Sequence, residues 1–268
     1  MSDAPPVVLT VAGSDPSGGA GVQADLKTIH QHGGYGTAVP TLITVQNTCG
    51  VEEVELLSPD LVRAQLATLL ADLEPAAAKT GALGSPAVAH VLGSLMDETG
   101  FPWVVDPVWL PTRGRPLSRG DVVQAYKDAV IPRAALVTPN AQEAALLAEM
   151  PVRSLEDARE AAERIAALGA NAVLVKGGHL EGSARGTDLL LHEGTAMELV
   201  AVDVVPGHFH GTGCALSAAI ATRMAFGQDI PAAVKGAKGW LTGALTHAFA
   251  VGRGAKPVNH SWPLEDKP

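Results

Sequence analysis

Short apolar runs rich in Val, Ile and Leu recur along the chain, separated by longer Ala- and Leu-rich stretches with helical spacing. Runs bounded by Gly, Pro or Asp suit buried strands, whereas apolar residues every three or four positions suit amphipathic helices. The pattern predicts strands over Val7–Ala12, Ala38–Thr44, Ala76–Thr80, Trp103–Asp106, Ala134–Thr138 and Ala172–Lys176. A hairpin-like pair follows at Thr187–His192 and Ala196–Val204, turning at Glu193-Gly194. Predicted helices cover Val22–Gln31, Asp60–Leu73, Ala87–Glu98, Asp121–Val130, Glu143–Glu149, Leu155–Leu168, Thr212–Ala225 and Pro231–Phe249. Ser58-Pro59 and Ser85-Pro86 place an N-cap before a first-turn proline, and Ser154-x-x-Asp157 has the form of a capping box. Gly100 and Gly169 sit just past helix ends, where a left-handed cap is needed.

Alternating strands and helices require parallel crossovers, hence a mostly parallel α/β sheet with helices on both faces. No linker or repeat divides residues 1–268, so one domain is expected, with residues 256–268 as a polar tail. Composition sharpens this. Of 268 residues 47% are hydrophobic, yet only ten are aromatic, so burial must come from Ala, Val and Leu at close element contacts. The 19 Lys+Arg against 28 Asp+Glu give a net charge of −9, which argues against a nucleic-acid groove. The first apolar run, Val7 to Ala12, falls far short of the roughly 20 residues that span a bilayer. It also lacks the basic flank of a signal peptide, so a reducing cytoplasm is the expected setting, with no membrane partner. Cys49 and Cys214 cannot make a disulfide framework or, alone, a structural zinc site.

Ligands of open α/β sheets sit outside the carboxyl ends of the strands. Here those ends carry Gly13-Ser14-Asp15, Gln46-Asn47, Lys79, Asp106, Asn140 with Glu143, and Lys176-Gly177-Gly178, a clustering that points to a site. The segment GSDPSGGAGVQADLK, Gly13 to Lys27, follows a strand and opens a helix; its glycines let backbone approach a ligand, and Asp25 falls in the first turns. It matches neither G-x-x-x-x-G-K-[ST] nor G-x-G-x-x-G. In HGTGCALSAAIA, His210 to Ala221, Gly211-Thr212-Gly213 leads into a helix, so amide N–H groups and the helix dipole converge as an anion hole for a phosphoryl group. Cys214 falls in the first turn, where that field favours thiolate; a thiolate could take a proton from an attacking hydroxyl. Lys176 could neutralise a nucleotide phosphate. Asn140 and Glu143 could hold Mg²⁺ through water, the competing reading of Glu143 being a first-turn carboxylate stabilised by the dipole. His208 and His210 have no third ligand at zinc spacing, and Cys49 reads as packing.

Seven segments in order, AGSDPSGGAGVQADLKT (12–28), VQNTCGV (45–51), KTGALGS (79–85), VVDPV (104–108), TPNAQEA (138–144), VKGGH (175–179) and HGTGC (210–214), together resemble the hydroxymethylpyrimidine and phosphomethylpyrimidine kinases of thiamine biosynthesis. These belong to the ribokinase-like superfamily. The resemblance implies a three-layer α/β/α fold and transfer of the ATP γ-phosphoryl group to 4-amino-5-hydroxymethyl-2-methylpyrimidine. It also implies a second transfer, onto the monophosphate. Carried over by position, Gln46 should hydrogen-bond the pyrimidine, with Gly13, Ala20, Asp25 and Val108 around it. Lys176 should meet ATP phosphates, and Gly211, Thr212, Gly213 and Cys214 should form the anion hole and base; the strand-end residues Asn140 and Asp106 are further candidates for the ATP site, with Glu143 on Mg²⁺ through water. A homodimer is also implied.

The chain departs from the family pattern at Ala82, where Met is usual, at His208-Phe209, where Asn-Thr is usual, and at Pro111-Thr112-Arg113 with Trp109 nearby. Ala82 would widen the pocket. Pyridoxal or pyridoxamine phosphorylation is therefore the alternative activity, because that ring also carries a hydroxymethyl group. A catalytically weakened pyrimidine-binding protein is the alternative from another class.

Overall fold

A computed structural model describes residues 4–109, 114–180, 186–200 and 205–263. The first apolar run forms β1 (Val7–Ser14), and helix α1 (Gly21–Gln31) returns the chain to β2 (Tyr35–Asn47), parallel to β1. β3 (Gly50–Leu56) folds back antiparallel on β2, and α2 (Pro59–Leu70) then carries the chain to β4 (Ala77–Thr80) on the other edge of β1. The chain continues through α3 (Pro86–Glu98), β5 (Trp103–Val105), α4 (Val122–Ala125), β6 (Leu136–Val137), α5 (Ala141–Ala148), α6 (Leu155–Ala166) and β7 (Ala172–Val175). The hairpin β8 (Asp188–His192) and β9 (Thr195–Leu199) follows, then β10 (Phe209–His210), α7 (Thr212–Ala225), α8 (Ile230–Thr246) and β11 (Lys256–Pro257). The sheet order is β3-β2-β1-β4-β5-β6-β7-β8-β9, so six parallel strands are flanked by antiparallel edges.

Neighbouring residues on the buried strands part to opposite faces, as a two-residue period demands. Leu9, Val105, Val137 and Val173 join one core with α2 to α6, while Val8, Val104, Leu136 and Leu174 join another with α1, α7 and α8. That is the expected three-layer α/β/α arrangement. Each fully buried Val or Leu stabilises it by roughly 1.5–3 kcal/mol. Small residues do much of the close packing, as the scarcity of aromatics required: Ala215, Ala218, Ala219 and Ala221 of α7 are all fully buried in the second core.

Several helix starts carry the caps read from the sequence. Ser58 and Ser85 accept from Leu61 and Val88 amides, and Ser154 with Asp157 closes a capping box. Glu193 and Gly194, with φ of 50° and 71°, make the tight hairpin turn that joins β8 to β9.

Three elements differ from expectation. The strand β3 escapes the pattern because Glu52, Glu53 and Glu55 face solvent on a sheet edge, leaving Val51, Val54 and the half-buried Leu56 to mark its inner face. The helix expected over Asp121–Val130 is regular only to Ala125, then widens into a π turn (Tyr126–Val130) and tightens into a 3₁₀ turn around Pro132, which has no N–H for the ladder. Residues 256–263 are a packed strap rather than a polar tail: β11 pairs with β10, Val258 is buried, and the Trp262 carbonyl accepts from Gln31 and Trp240. The end of the expected strand Ala196–Val204, the departure at Pro111-Thr112-Arg113 and residues 264–268 of the expected tail lie outside the described residues.

Candidate active site

The sheet grows outward from β1 to β2 and β3, then returns to lay β4 on the other edge of β1. The connections leaving β1 and β4 therefore diverge, and a crevice opens at their carboxyl ends. A cavity of about 250 Å³ lies there. Gly13, Ala20, Gln46, Asp106, Val108, Asn140, Glu143, Lys176, Gly211, Thr212, Gly213 and Cys214 all line it. Ala82 does too, with Leu42 and Leu117 completing an apolar side.

Asp25, expected at the substrate, is the exception. It has no exposed surface and lies behind the wall, where Lys79 Nζ donates to both carboxylate oxygens at 3.1 Å and Thr10 Oγ1 donates at 2.6 Å. Its place on the buried face of α1 explains this: Val22, Ala24, Asp25, Thr28 and Ile29 all turn inward. Burial alone would favour a neutral Lys79, but the neighbouring carboxylates, Asp25 first and Asp106 further off, outweigh it and raise the Lys79 pKa, which keeps the ammonium charged.

A second ion pair borders the cavity. Lys176 Nζ donates to Asp106 Oδ1 at 2.7 Å and stands 3.9 Å from Glu143 Oε2. Asp106 is held from behind by Thr138 Oγ1 at 3.0 Å, so its first task is to position Lys176. Asn140 caps α5, its Oδ1 accepting from the Gln142 and Glu143 amides, and Glu143 Oε2 accepts from the Asn140 amide in return. The first-turn carboxylate reading of Glu143 is thus realised as a capping box, yet both residues still face the cavity. Burial pushes the Glu143 carboxyl up to about 7, with Lys176 opposing and Asp106 reinforcing the rise.

At the start of α7, Gly211 takes the left-handed conformation (φ 78°) and leaves the helix without a side-chain cap. A side chain there would strike the Gly19 carbonyl, so only glycine lets the two loops close on each other. First-turn amides have no partner within their own helix, and Gly211, Thr212, Gly213 and Cys214 line the cavity. Gly213 lies so near the ion pair that a methyl group on it would sit 3.1 Å from Lys176 Nζ.

The thiolate expected at Cys214 does not form in this environment. Burial pushes the thiol up to about 11; Lys79 and the Gly21 amide oppose the rise, and Asp25 and Asp106 add to it. A helix start lowers a thiol pKa only when desolvation and neighbouring carboxylates do not outweigh it.

Three residues of the expected strand-end cluster and loop segments, to which no individual role was assigned, belong to the site or support it. Asp15 accepts from the Ser17 and Ala20 amides at 2.8 Å each. His210 Nε2 lies 2.8 Å from Asp15 Oδ2 and 2.9 Å from Gln46 Nε2, which joins the glycine-rich loop, the β2 end and the anion hole. Lys79 is the third. Each is a charged or ionisable residue at a strand end beside glycine or a small polar residue, which was the available sequence signal. Of the departures from the family pattern, Trp109 is buried with its ring 5.8 Å from Tyr126, and Phe209 lies in β10 next to His210.

Among the described residues, no three His, Cys, Asp or Glu side chains converge as a set of metal ligands. Glu143 retains one carboxylate oxygen with no hydrogen-bond partner among the described residues, which fits a cation held mainly by water and phosphate oxygens, as Mg²⁺ commonly is. No helix of the described residues is long and apolar enough to cross a membrane.

A family model described as phosphomethylpyrimidine kinase matches residues 15–259. The chain is 42% identical over 260 residues to the hydroxymethylpyrimidine/phosphomethylpyrimidine kinase of Streptomyces coelicolor, covering 97% of this chain and 96% of that one. The fold is similar to that of Bacillus subtilis pyridoxal kinase in an ADP complex, with a TM-score of 0.88 and 33% identity over 97% of this chain and 98% of that one. It is similar also to phosphomethylpyrimidine kinase from Clostridium difficile, with a TM-score of 0.78 and 35% identity over 88% of this chain and 98% of that one. Matched along nearly its whole length in both sequence and fold, the chain belongs to the phosphomethylpyrimidine kinase family.

Proposed function

We propose that the protein is an ATP-dependent kinase that phosphorylates 4-amino-5-hydroxymethyl-2-methylpyrimidine and then its monophosphate, for thiamine biosynthesis. The observation that carries this reading is one cavity lined both by Gln46 and Val108 and by Lys176 and the Gly211–Cys214 helix start. A flat polar ring suits the first pair and a transferring phosphoryl group the second set. The similarity to named pyrimidine kinases supports the same assignment. The cytoplasm, where ATP is supplied, is the proposed setting. Homodimer formation, implied by the resemblance, is supported by Ile43 and Val45, which lie half-exposed on one face of β2.

In the proposed reaction the substrate hydroxymethyl oxygen bonds to the γ-phosphorus while the bond from that phosphorus to the β,γ-bridging oxygen breaks, releasing ADP. Lys176 and the amides of Thr212, Gly213 and Cys214 hold negative charge on the transferring group. Mg²⁺, when bound through water near Glu143, would neutralise phosphate charge. The proposed acceptor of the hydroxyl proton is Cys214 Sγ, which serves only in the minor population whose thiol is ionised, since burial holds its pKa at about 11. Phosphoryl transfer places little demand on a base before the new P–O bond forms, so a basic sulfur suits a late proton transfer. Net charge was a poor guide to this partner, because the positive potential is local.

Pyridoxal phosphorylation is the second reading, and the small Ala82 side chain in the cavity wall favours it. A coupled ADP-release assay with both alcohols, with product detection that resolves mono- from diphosphate, tests the two. Turnover of the pyrimidine to both phosphates is expected; turnover of pyridoxal with none of the pyrimidine would overturn the first reading. Pyrimidine binding in a titration, without transfer under any Mg·ATP condition, would favour a silent binding protein.

A further inference from the structure

His210 is held from several directions. It pairs with Pro257 across β10 and β11, and its ring packs so closely on the glycine-rich loop that a methyl group at Gly19 would sit 2.8 Å from Cδ2. Its Nε2 therefore has a fixed address, 2.8 Å from Asp15 Oδ2 and 2.9 Å from the Gln46 amide nitrogen. One imidazole nitrogen carries either a proton or a lone pair. Asp15 decides which: it already accepts the Ser17 and Ala20 amide protons, and a carboxylate so placed is ionised and takes a donor from His210.

With a proton on Nε2, His210 cannot accept from the Gln46 amino group. The carboxamide exchanges its oxygen and nitrogen by a half-turn, and the hydrogen-bond network determines which end lies where. The oxygen thus belongs against His210, where it shares the one Nε2 proton with Asp15 in a bifurcated hydrogen bond. The amino group takes the other position, which has no protein partner among the described residues, in a side chain that lines the cavity.

We propose that His210, backed by Asp15, is a positioning residue that turns the Gln46 carboxamide so that it presents an N–H donor, selecting a substrate ring with an unprotonated nitrogen. The proposal rests on the reading that Gln46 meets the pyrimidine. A 4-aminopyrimidine keeps its ring nitrogens as acceptors. Its 4-oxo counterpart carries a proton on one of them and would set donor against donor.

The test compares kcat/KM for the 4-amino alcohol and its 4-oxo counterpart in the full-length protein. The wild type is expected to prefer the amino compound by at least ~100-fold, as sites built around a specific hydrogen bond do. His210→Phe should reduce that preference at least tenfold, chiefly through the pyrimidine KM. His210→Gln, whose amide nitrogen can reach the Nε2 position, should restore it to within about threefold. An unchanged preference in His210→Phe, with a raised pyrimidine KM in Gln46→Ala, would overturn the proposal alone. An unchanged pyrimidine KM in Gln46→Ala would overturn the placement of the ring on Gln46, and the proposal with it. Should His210→Phe fail to fold, ¹⁵N NMR of the wild-type imidazole decides: a protonated Nε2 is expected, and an unprotonated Nε2 overturns the proposal.

Discussion

Lys79 and Asp25 meet at 3.1 Å with neither side chain reaching solvent, and both act electrically on the thiol of Cys214. Removing one partner strands the other charge in the protein interior. Lys79→Met is expected to lower stability by about 3–5 kcal/mol, the usual range for breaking a buried pair. Lys79→Met combined with Asp25→Leu should be less damaging than that single change. Urea denaturation of the three proteins checks this; equal stability of Lys79→Met and wild type would mean that Asp25 is neutral in the fold.

Cys214 carries the proposed proton transfer, so Cys214→Ala should lower kcat by at least ~100-fold, the lower end for loss of a general base, without unfolding the protein. Near wild-type turnover would reduce the thiol to a packing group.

With its pKa raised to about 11, the same thiol should be alkylated slowly by iodoacetamide in the ligand-free protein. At pH 8 only ~0.1% would be thiolate, and the rate should climb about tenfold per pH unit. A rate already at its plateau near pH 8 would contradict the dominance of burial at this position.

Gly213→Ala places a methyl group against Lys176 without demanding an unusual backbone conformation. The expected result is at least a tenfold rise in KM for ATP, about 1.4 kcal/mol, with a smaller effect on the pyrimidine. An unaltered ATP KM would remove Lys176 and the helix start from the phosphate path.

Glu143 and two histidines give stability a pH dependence of opposite signs. Glu143 binds its proton more tightly when folded, with a pKa near 7 against an ordinary 4.5, so its contribution falls as pH rises between those values. Burial drives His32 and His260 the other way, down to about 4, so their contribution is complete above pH 6.5 and lost as pH falls toward 4. Glu143→Gln, which can keep the capping box, should raise stability at pH 8 relative to pH 5 by roughly 1–3 kcal/mol. Chemical denaturation at the two pH values measures it, and an unchanged difference would show that Glu143 titrates normally.

The sequence revealed most where local chemistry and global fold agree. α7 spans Thr212–Ala225, as its apolar spacing and glycine start foretold, and the Glu193-Gly194 turn was legible from residue type alone. β3 was not, because an edge strand with an acidic outer face carries half the signal of a buried one. At the site, spacing identified the cavity wall but not what lies behind it. Asp25 resembled a ligand contact because it follows a glycine-rich loop, yet its helical phase turns it toward Lys79, fifty-four residues away in sequence. The pKa of Cys214 was illegible for the same reason: the helix start is local, whereas the burial and the carboxylates that outweigh it come from distant strands.

The pairing of Phe209 and His210 with Lys256 and Pro257 also sets an order of assembly during synthesis. Gly211, Gly213 and Cys214 leave the ribosome before the strand that pairs with His210. A nascent chain that has not yet reached Lys256 holds every residue proposed for phosphoryl transfer, while the group proposed to aim Gln46 still lacks its clasp.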